Sequence, residues 1–279
     1  MDACWLLKTL NIQPGSCNKM GNVLSNYNES RMNALEHKVL ETYRSKSGRC
    51  KMCQDYCNRK RLELHGPLSY FNIGDGYEDD KYRIAFVGKT TWYDKSDVNE
   101  LSRYPKSIFR DCRNDCKSMF ENHPSKFWVY IRGIAQQLYE EEKDNTNRLL
   151  SHIVITNLTK CNTSTGSDDT TPYSLTGNCA EIFEEEIRIL QPKHLILFTG
   201  HGYDPYTAKL KFGYRNPPRD VNGQMSRHKI GNIDACWWER EFSEDSRETM
   251  AFLRTRHPAR APSQFVEEIV KWIKSKRVH

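Results

Sequence analysis

The stretch HIVITNLTKC, His152 to Cys161, places Ile153, Val154, Ile155 and Thr156 in succession before turning polar. Branching at Cβ stiffens these side chains and suits them to a pleated surface, so a short run of this kind reads as a buried strand. Three more short apolar runs share its character: Arg83 to Val87, His194 to Thr199 and Thr249 to Thr255. Between and after them the period changes to that of a helix. Phe127 to Glu142 carries Tyr130, Ile131, Ile134 and Leu138 on one face. Cys179 to Leu190 carries Ile182, Phe183, Ile187 and Leu190 and stops before Pro192, and Gln264 to Ile273 carries Phe265, Ile269, Val270 and Ile273. Strands alternating with helices predict βαβ units, hence an α/β fold: a three-layer α/β/α sandwich around a central, mainly four-stranded parallel sheet. Ligands of such sheets bind beyond the carboxyl ends of the strands, so the tails of the four runs are where chemistry is expected.

At 279 residues the chain fits one such domain with additions. Residues 1–47 read as a leader followed by an amphipathic helix, in which Met32, Leu35, Val39, Leu40 and Tyr43 recur from Ser30 onward. Residues 48–279 read as a single domain with insertions at about 93–127 and 207–247, the second carrying Trp237 and Trp238 as an elaboration near the pocket or a ligand. Hydrophobic residues make up 37% and charged residues 28%, the balance of a folded, charge-rich chain rather than a disordered one. No run of eighteen apolar residues occurs, and no basic region precedes the apolar patch near Met1, so neither a membrane span nor a secretory signal is expected. A cytoplasmic monomer is the default. The net charge of +6 permits a polyanionic partner, and basic residues crowd Arg44 to Arg61, including Arg59, Lys60 and Arg61.

Ten cysteines in a reducing compartment are ordinarily small buried hydrophobes. Four have a suggestive spacing: Cys50-x2-Cys53, then Cys161-x17-Cys179. A close pair cannot saturate a metal or a cluster, so it needs a second pair from elsewhere. Inert thiols, a zinc site and an iron–sulfur cluster all remain open on spacing alone, with Cys57 a competing ligand. Cys112 and Cys116, four residues apart, have the spacing of a zinc half-site on a helix.

At the strand ends, Gly88-Lys89-Thr90 imitates the end of a phosphate-binding loop, but Arg83 stands where the first glycine belongs, inside a strand. Without a glycine-rich arc no triphosphate is cradled, so no nucleotide cofactor is expected. Asn157 follows the second strand with a carboxamide that both donates and accepts. Arg256-His257-Pro258-Ala259-Arg260 follows the fourth, with an apolar strand ahead and an amphipathic helix behind. The other His-Pro, His123-Pro124, has no such strand before it.

Taken together, the two cysteine pairs, TNLTKC, the helix–Pro–strand stretch EIFEEEIRILQPKHLILFTG and the His-Pro motif resemble the cluster-bearing branches of the uracil-DNA glycosylase-like superfamily, over roughly residues 48–275. The resemblance implies a [4Fe–4S] cluster on Cys50, Cys53, Cys161 and Cys179, with zinc the alternative, and DNA as partner. It implies that Asn157 reads the edge of an extruded pyrimidine and that His257 stabilises charge on the departing base. The family's first motif carries an acid after its glycine; here Lys89 stands there, so the acid is expected at Asp94, with Asp97 or Asp204 as substitutes. Gly88, Lys89, Trp92 and Tyr93 would face the base, and Arg256 and Arg260 the phosphates, because Ala259 replaces the family's serine. The activity implied is a monofunctional DNA glycosylase excising a modified pyrimidine such as the glucosylated hydroxymethylcytosine of phage DNA, as antiviral defence. Uracil repair, or a non-catalytic iron–sulfur DNA-binding protein, are the alternatives.

Overall fold

The computed structural model describes residues 33–65, 71–90, 108–163, 173–222, 229–230, 233–234, 236–245 and 247–276. Helix α1 (Ala34–Ser45) begins at a reciprocal cap: Asn33 Oδ1 accepts from Glu36 N at 2.8 Å while Asn33 N donates to Glu36 Oε2 at 3.1 Å. Its start therefore lies later than the apolar spacing alone suggests. Helix α2 (Ser47–Lys60) follows almost without a break and ends where Arg61 turns left-handed, at φ 54°.

Then come β1 (Asn72–Ile73), β2 (Ile84–Thr90), α3 (Ile108–Asn122), α4 (Lys126–Leu138), α5 (Thr146–Ser151) and β3 (Ile153–Thr159). They are followed by α6 (Tyr173–Leu190), β4 (His194–Leu197), the single turn α7 (Asp204–Thr207), and the short strands β5 (Arg219–Asp220), β6 (Lys229–Ile230) and β7 (Ile233–Asp234). The chain closes with β8 (Trp238–Glu244), β9 (Arg247–Arg254) and α8 (Gln264–Ser275).

The main sheet has seven strands in the order β1-β3-β2-β4-β9-β8-β5, and β6 pairs only with β7. The four expected runs became β2, β3, β4 and β9, which pair in parallel as β3-β2-β4-β9. The expectation of a mainly four-stranded parallel sheet needs correction. Antiparallel strands extend it, β1 on the β3 side and β8 then β5 on the β9 side. Much of the extension comes from the stretch read as an elaboration near the pocket. Trp238, Arg240 and Phe242 alternate inward along β8. A buried arginine interrupts the apolar alternation that would betray a strand. It is tolerated because its guanidinium lies over the rings of Trp238 and Phe242, at 4.8 and 5.6 Å, and pairs with Asp220 at 2.8 Å. Trp237 and Trp238 are buried in the core rather than turned to a ligand.

Side chains leave the sheet on both faces. Ala85 and Val87 of β2 join one apolar cluster with Leu35, Val39 and Tyr43 of α1 and Ile182, Phe183 and Ile187 of α6. Ile84 and Phe86 join the other, with Trp128, Ile131 and Ile134 of α4 and Phe265 and Ile269 of α8. Helix α1 thus belongs to the core. No helix among the described residues is long and apolar enough to cross a membrane.

Candidate active site and thiol nest

Strand pairing puts Gly88 of β2 opposite Asn157 of β3. A Cβ at Gly88 would lie 2.3 Å from Asn157 Oδ1 and 3.2 Å from the Phe127 ring, so the missing side chain lets the carboxamide and the ring converge above β2. Asn157 is buried, and Phe127 at the start of α4 is half-exposed. The Asn157 backbone is held from below: Lys160 Nζ donates to Asn157 O at 2.6 Å and to Thr156 Oγ1 at 2.8 Å. Lys160 pairs with Glu186 Oε2 at 2.5 Å, and Tyr43 Oη donates to the same oxygen at 2.7 Å. Both charged residues are buried, at 1% and 0% exposure, a placement that is tolerable only because each offsets the other's charge. Sequence reasoning missed this role of Lys160. The available signal was Glu186 itself, a carboxylate on the apolar face of α6 between Phe183 and Ile187.

Beyond β9, His257 caps the short turn Pro258–Arg260, with Ala259 N donating to His257 Nδ1 at 3.3 Å. A nitrogen that accepts cannot also carry the proton, so the neutral ring bears its hydrogen on Nε2. Helix α4 grips the chain just past this turn: Tyr130 Oη donates to Ala261 O at 2.7 Å and Lys126 Nζ to the same oxygen at 3.0 Å. The helix that presents Phe127 therefore also steadies His257. Between them runs the loop after β4, where Gly200 (φ +78°) donates to Thr255 O at 2.9 Å. Asn157 and His257 lie at the same sheet edge, on or beyond strands separated by β2 and β4, on the order of 14 Å across at normal strand spacing.

Asp204, a substitute for the displaced acid, is otherwise engaged. Its carboxylate receives Arg254 Nε at 2.7 Å and Nη2 at 2.5 Å. Burial pushes this carboxyl up, against the pull of Arg254. Arg254 is itself fully buried, so Asp204 serves as its counter-ion and the pair braces the loop. Gly88, Lys89 and Thr90 continue strand β2 and form no phosphate loop. Lys89 Nζ stands 5.9 Å from the Tyr203 ring centre. Arg256 is half-buried beside His257, and Arg260 lies in the turn. Asp94, Asp97, Trp92 and Tyr93 lie outside the described residues.

The cysteines converge elsewhere along the same strand. Cys50, Cys53 and Cys57 are three and then four residues apart on α2, hence on one helical face, and all are buried. Helix α2 packs on α6, which carries Cys179. Cys161 follows β3 and packs with Cys53, Cys57, Leu64 and Leu175. The loop bearing Cys161 is pinned on several sides. Thr90 Oγ1 donates to Cys161 O at 2.8 Å, His65 and Asn162 exchange backbone hydrogen bonds of 2.8 and 2.9 Å, and the Thr159 and Thr176 hydroxyls meet at 2.8 Å. Hydrogen bonding to Cys179, helped by Asn178 Nδ2 at 3.4 Å, outweighs burial and lowers the Cys53 thiol to about 7. Burial pushes Cys57 up to about 11 and, with neighbouring thiols, raises Cys161. The hydrogen bond to Cys53, then burial, raises Cys179.

Five buried thiols, with an amide N–H aimed at the sulfur of Cys53, supply the soft donor type that iron and zinc take. As the side chains stand, no group of three or more His, Cys, Asp or Glu among the described residues is arranged to hold a metal ion. Cys112 and Cys116 lie one turn apart on α3, and both are buried. Cys112 joins one core cluster and Cys116 the other, and burial holds the Cys116 thiol neutral.

In comparison with known proteins, the chain matches no family model and no curated relative.

Proposed function

We propose that the protein is a monofunctional DNA glycosylase of the uracil-DNA glycosylase-like kind, excising a modified pyrimidine. The observation that carries this reading is the pairing of Asn157 with a glycine that clears space for its carboxamide, at the same sheet edge as His257. A nucleotide extruded from the helix would place its base against Phe127, with Asn157 bonding its edge. As the bond from C1′ to the base nitrogen breaks, its electron pair leaves with the base. The charge then accumulating on a base carbonyl would be met by His257 Nε2–H. Water adds to C1′ of the oxocarbenium-like sugar and gives up a proton, leaving an abasic site and a free base.

Cys50, Cys53, Cys161 and Cys179 would hold a [4Fe–4S] cluster, with zinc the alternative and Cys57 in reach. Such a group would be structural, cross-linking α2 to the loop beyond Asn157 and to α6. Arg256 and the exposed Arg59, Lys60 and Arg61 would meet phosphates, so DNA binding should weaken steeply with salt. A modified cytosine of phage DNA is the preferred substrate because Lys89 replaces the acid of an ordinary uracil pocket. A cytoplasmic, monomeric antiviral enzyme is the setting this implies.

A specific observation favours one second reading. With Lys89 at the acid's place and Asp204 bound to Arg254, the chain has the marks of a member that binds DNA without cleaving it. Abasic-site formation on DNA containing uracil, hydroxymethylcytosine or glucosylated hydroxymethylcytosine separates these readings. Excision of any of them, lost on the order of a hundredfold or more in Asn157→Ala and His257→Ala, supports the glycosylase. Salt-sensitive binding with no excision supports the second reading. Full excision by both variants means the active site lies elsewhere.

A further inference from the structure

Tyr173, at the first residue of α6, is 52% exposed, the most exposed large apolar side chain among the described residues. It is not a stray surface residue. Its ring stacks on that of Tyr206 with centroids 6.0 Å apart and planes at 15°, and meets the buried Tyr203 edge-on at 5.4 Å. Two glycines make room: a Cβ on Gly202 would fall 2.8 Å from Tyr173 Oη, and one on Gly177 would touch the Tyr206 ring at 3.4 Å. Tyr203 in turn carries Lys89 Nζ over its face, and Lys89 is the neighbour of Gly88. Lys89 follows Gly88 but projects to the opposite face of β2, so Tyr203, Tyr173 and Tyr206 cluster across the strand from Phe127, beside the same carboxyl edge of the sheet that carries Asn157.

We propose that Tyr173 and Tyr206 form a shelf on which an unpaired base of the target DNA strand stacks, one or more nucleotides from the extruded one, so that the substrate is single-stranded or locally opened DNA. This rests on the glycosylase reading of the pocket. Every base has a π-face, so an aromatic shelf accepts any sequence, while a paired duplex hides those faces. Lys89, over the Tyr203 ring, and the exposed Lys209, three residues after Tyr206, would meet phosphates of the stacked strand. Core packing alone does not account for the arrangement, because the broad outer surface of Tyr173 faces solvent.

The test compares wild type, Tyr173→Ala, Tyr173→Phe and Tyr206→Ala for binding a single-stranded oligonucleotide and its duplex, both carrying a substrate base, by fluorescence anisotropy. Either alanine variant should weaken single-strand binding on the order of tenfold, leave duplex binding unchanged, and abolish the stacking quench of a 2-aminopurine beside the target. Tyr173→Phe should behave as wild type, and thermal melts report folding. Two outcomes overturn the shelf alone: wild-type single-strand affinity in a folded Tyr173→Ala or Tyr206→Ala protein that still excises, or equal loss on single strand and duplex. Wild-type protein that binds neither DNA overturns the parent reading as well.

Discussion

Gly88 and Asn157 face each other across two parallel strands, and the space a Cβ would fill on the first is taken by the amide oxygen of the second, 2.3 Å away. Gly88→Ala should therefore swing the Asn157 carboxamide aside rather than unfold the chain, since the displaced atom ends a rotatable side chain. Excision should fall on the order of a hundredfold, with stability lowered by ~1–3 kcal/mol. Full excision by this variant, in parallel rate and thermal-melt measurements, would remove Asn157 from the reaction.

The thiol nest makes a spectroscopic prediction. Protein purified without oxygen should be brown and absorb near roughly 400 nm, as thiolate-bound iron–sulfur centres do. Cys53→Ser and Cys179→Ser should bleach it, and a strong chelator should lower its melting temperature. Cys57→Ser measures whether the third thiol of α2 takes part. Cys112→Ser should keep its colour, because Cys112 lies on α3, away from the thiols of Cys53, Cys57 and Cys161 that pack together. A colourless protein with stoichiometric zinc would assign the nest to zinc.

Lys160 and Glu186 support the site without touching substrate. Glu186→Gln leaves a buried ammonium facing a neutral amide, which should cost ~3–5 kcal/mol in urea unfolding. Replacing both residues with apolar ones of similar volume, Lys160→Met with Glu186→Leu, should recover much of that. A loss under ~1 kcal/mol in Glu186→Gln would show that the pair does not hold the strand end.

His194 predicts a pH dependence. Burial pushes its imidazole below the ordinary value of 6.5, against the pull of the Tyr82 carbonyl, to which Nδ1 donates at 2.7 Å. The unfolded chain therefore takes up a proton near pH 6.5 that the folded chain refuses. The stabilisation is complete above that value and is lost as pH falls from it toward the lower folded value. Denaturant midpoints between pH 7.5 and 5 should fall, and the slope should shrink in His194→Gln.

Elements whose signal is local were legible. The runs that became β2, β3, β4 and β9 are apolar and short, and α4, α6 and α8 repeat apolar residues at 3.6-residue spacing. Where polar or sulfur-bearing residues make the buried surface, that signal fails. Strand β8 hides Arg240 between two aromatic rings, and α2 buries three thiols along a helix that is otherwise charged, so neither announces itself as core. Only the spacing of Cys50, Cys53 and Cys57 hints at the helix.

The sequence alone determined which residues stand toward the carboxyl ends of the strands, because that depends on where each apolar run stops: Gly88, Asn157 and, past the fourth run, His257. It also showed the Cys50-x2-Cys53 spacing, but only the structure put both on one helix. Which of these meet was decided by strand order, a non-local property that brings β2 between β3 and β4 and lays α2 against α6. Only that packing put a missing Cβ under the Asn157 carboxamide, gave Lys160 its carboxylate on α6, tied Asp204 to Arg254, and gathered thiols more than a hundred residues apart into one nest. Burying a charge is tolerable only when its partner is already in place, and the partner comes from a distant segment of the chain.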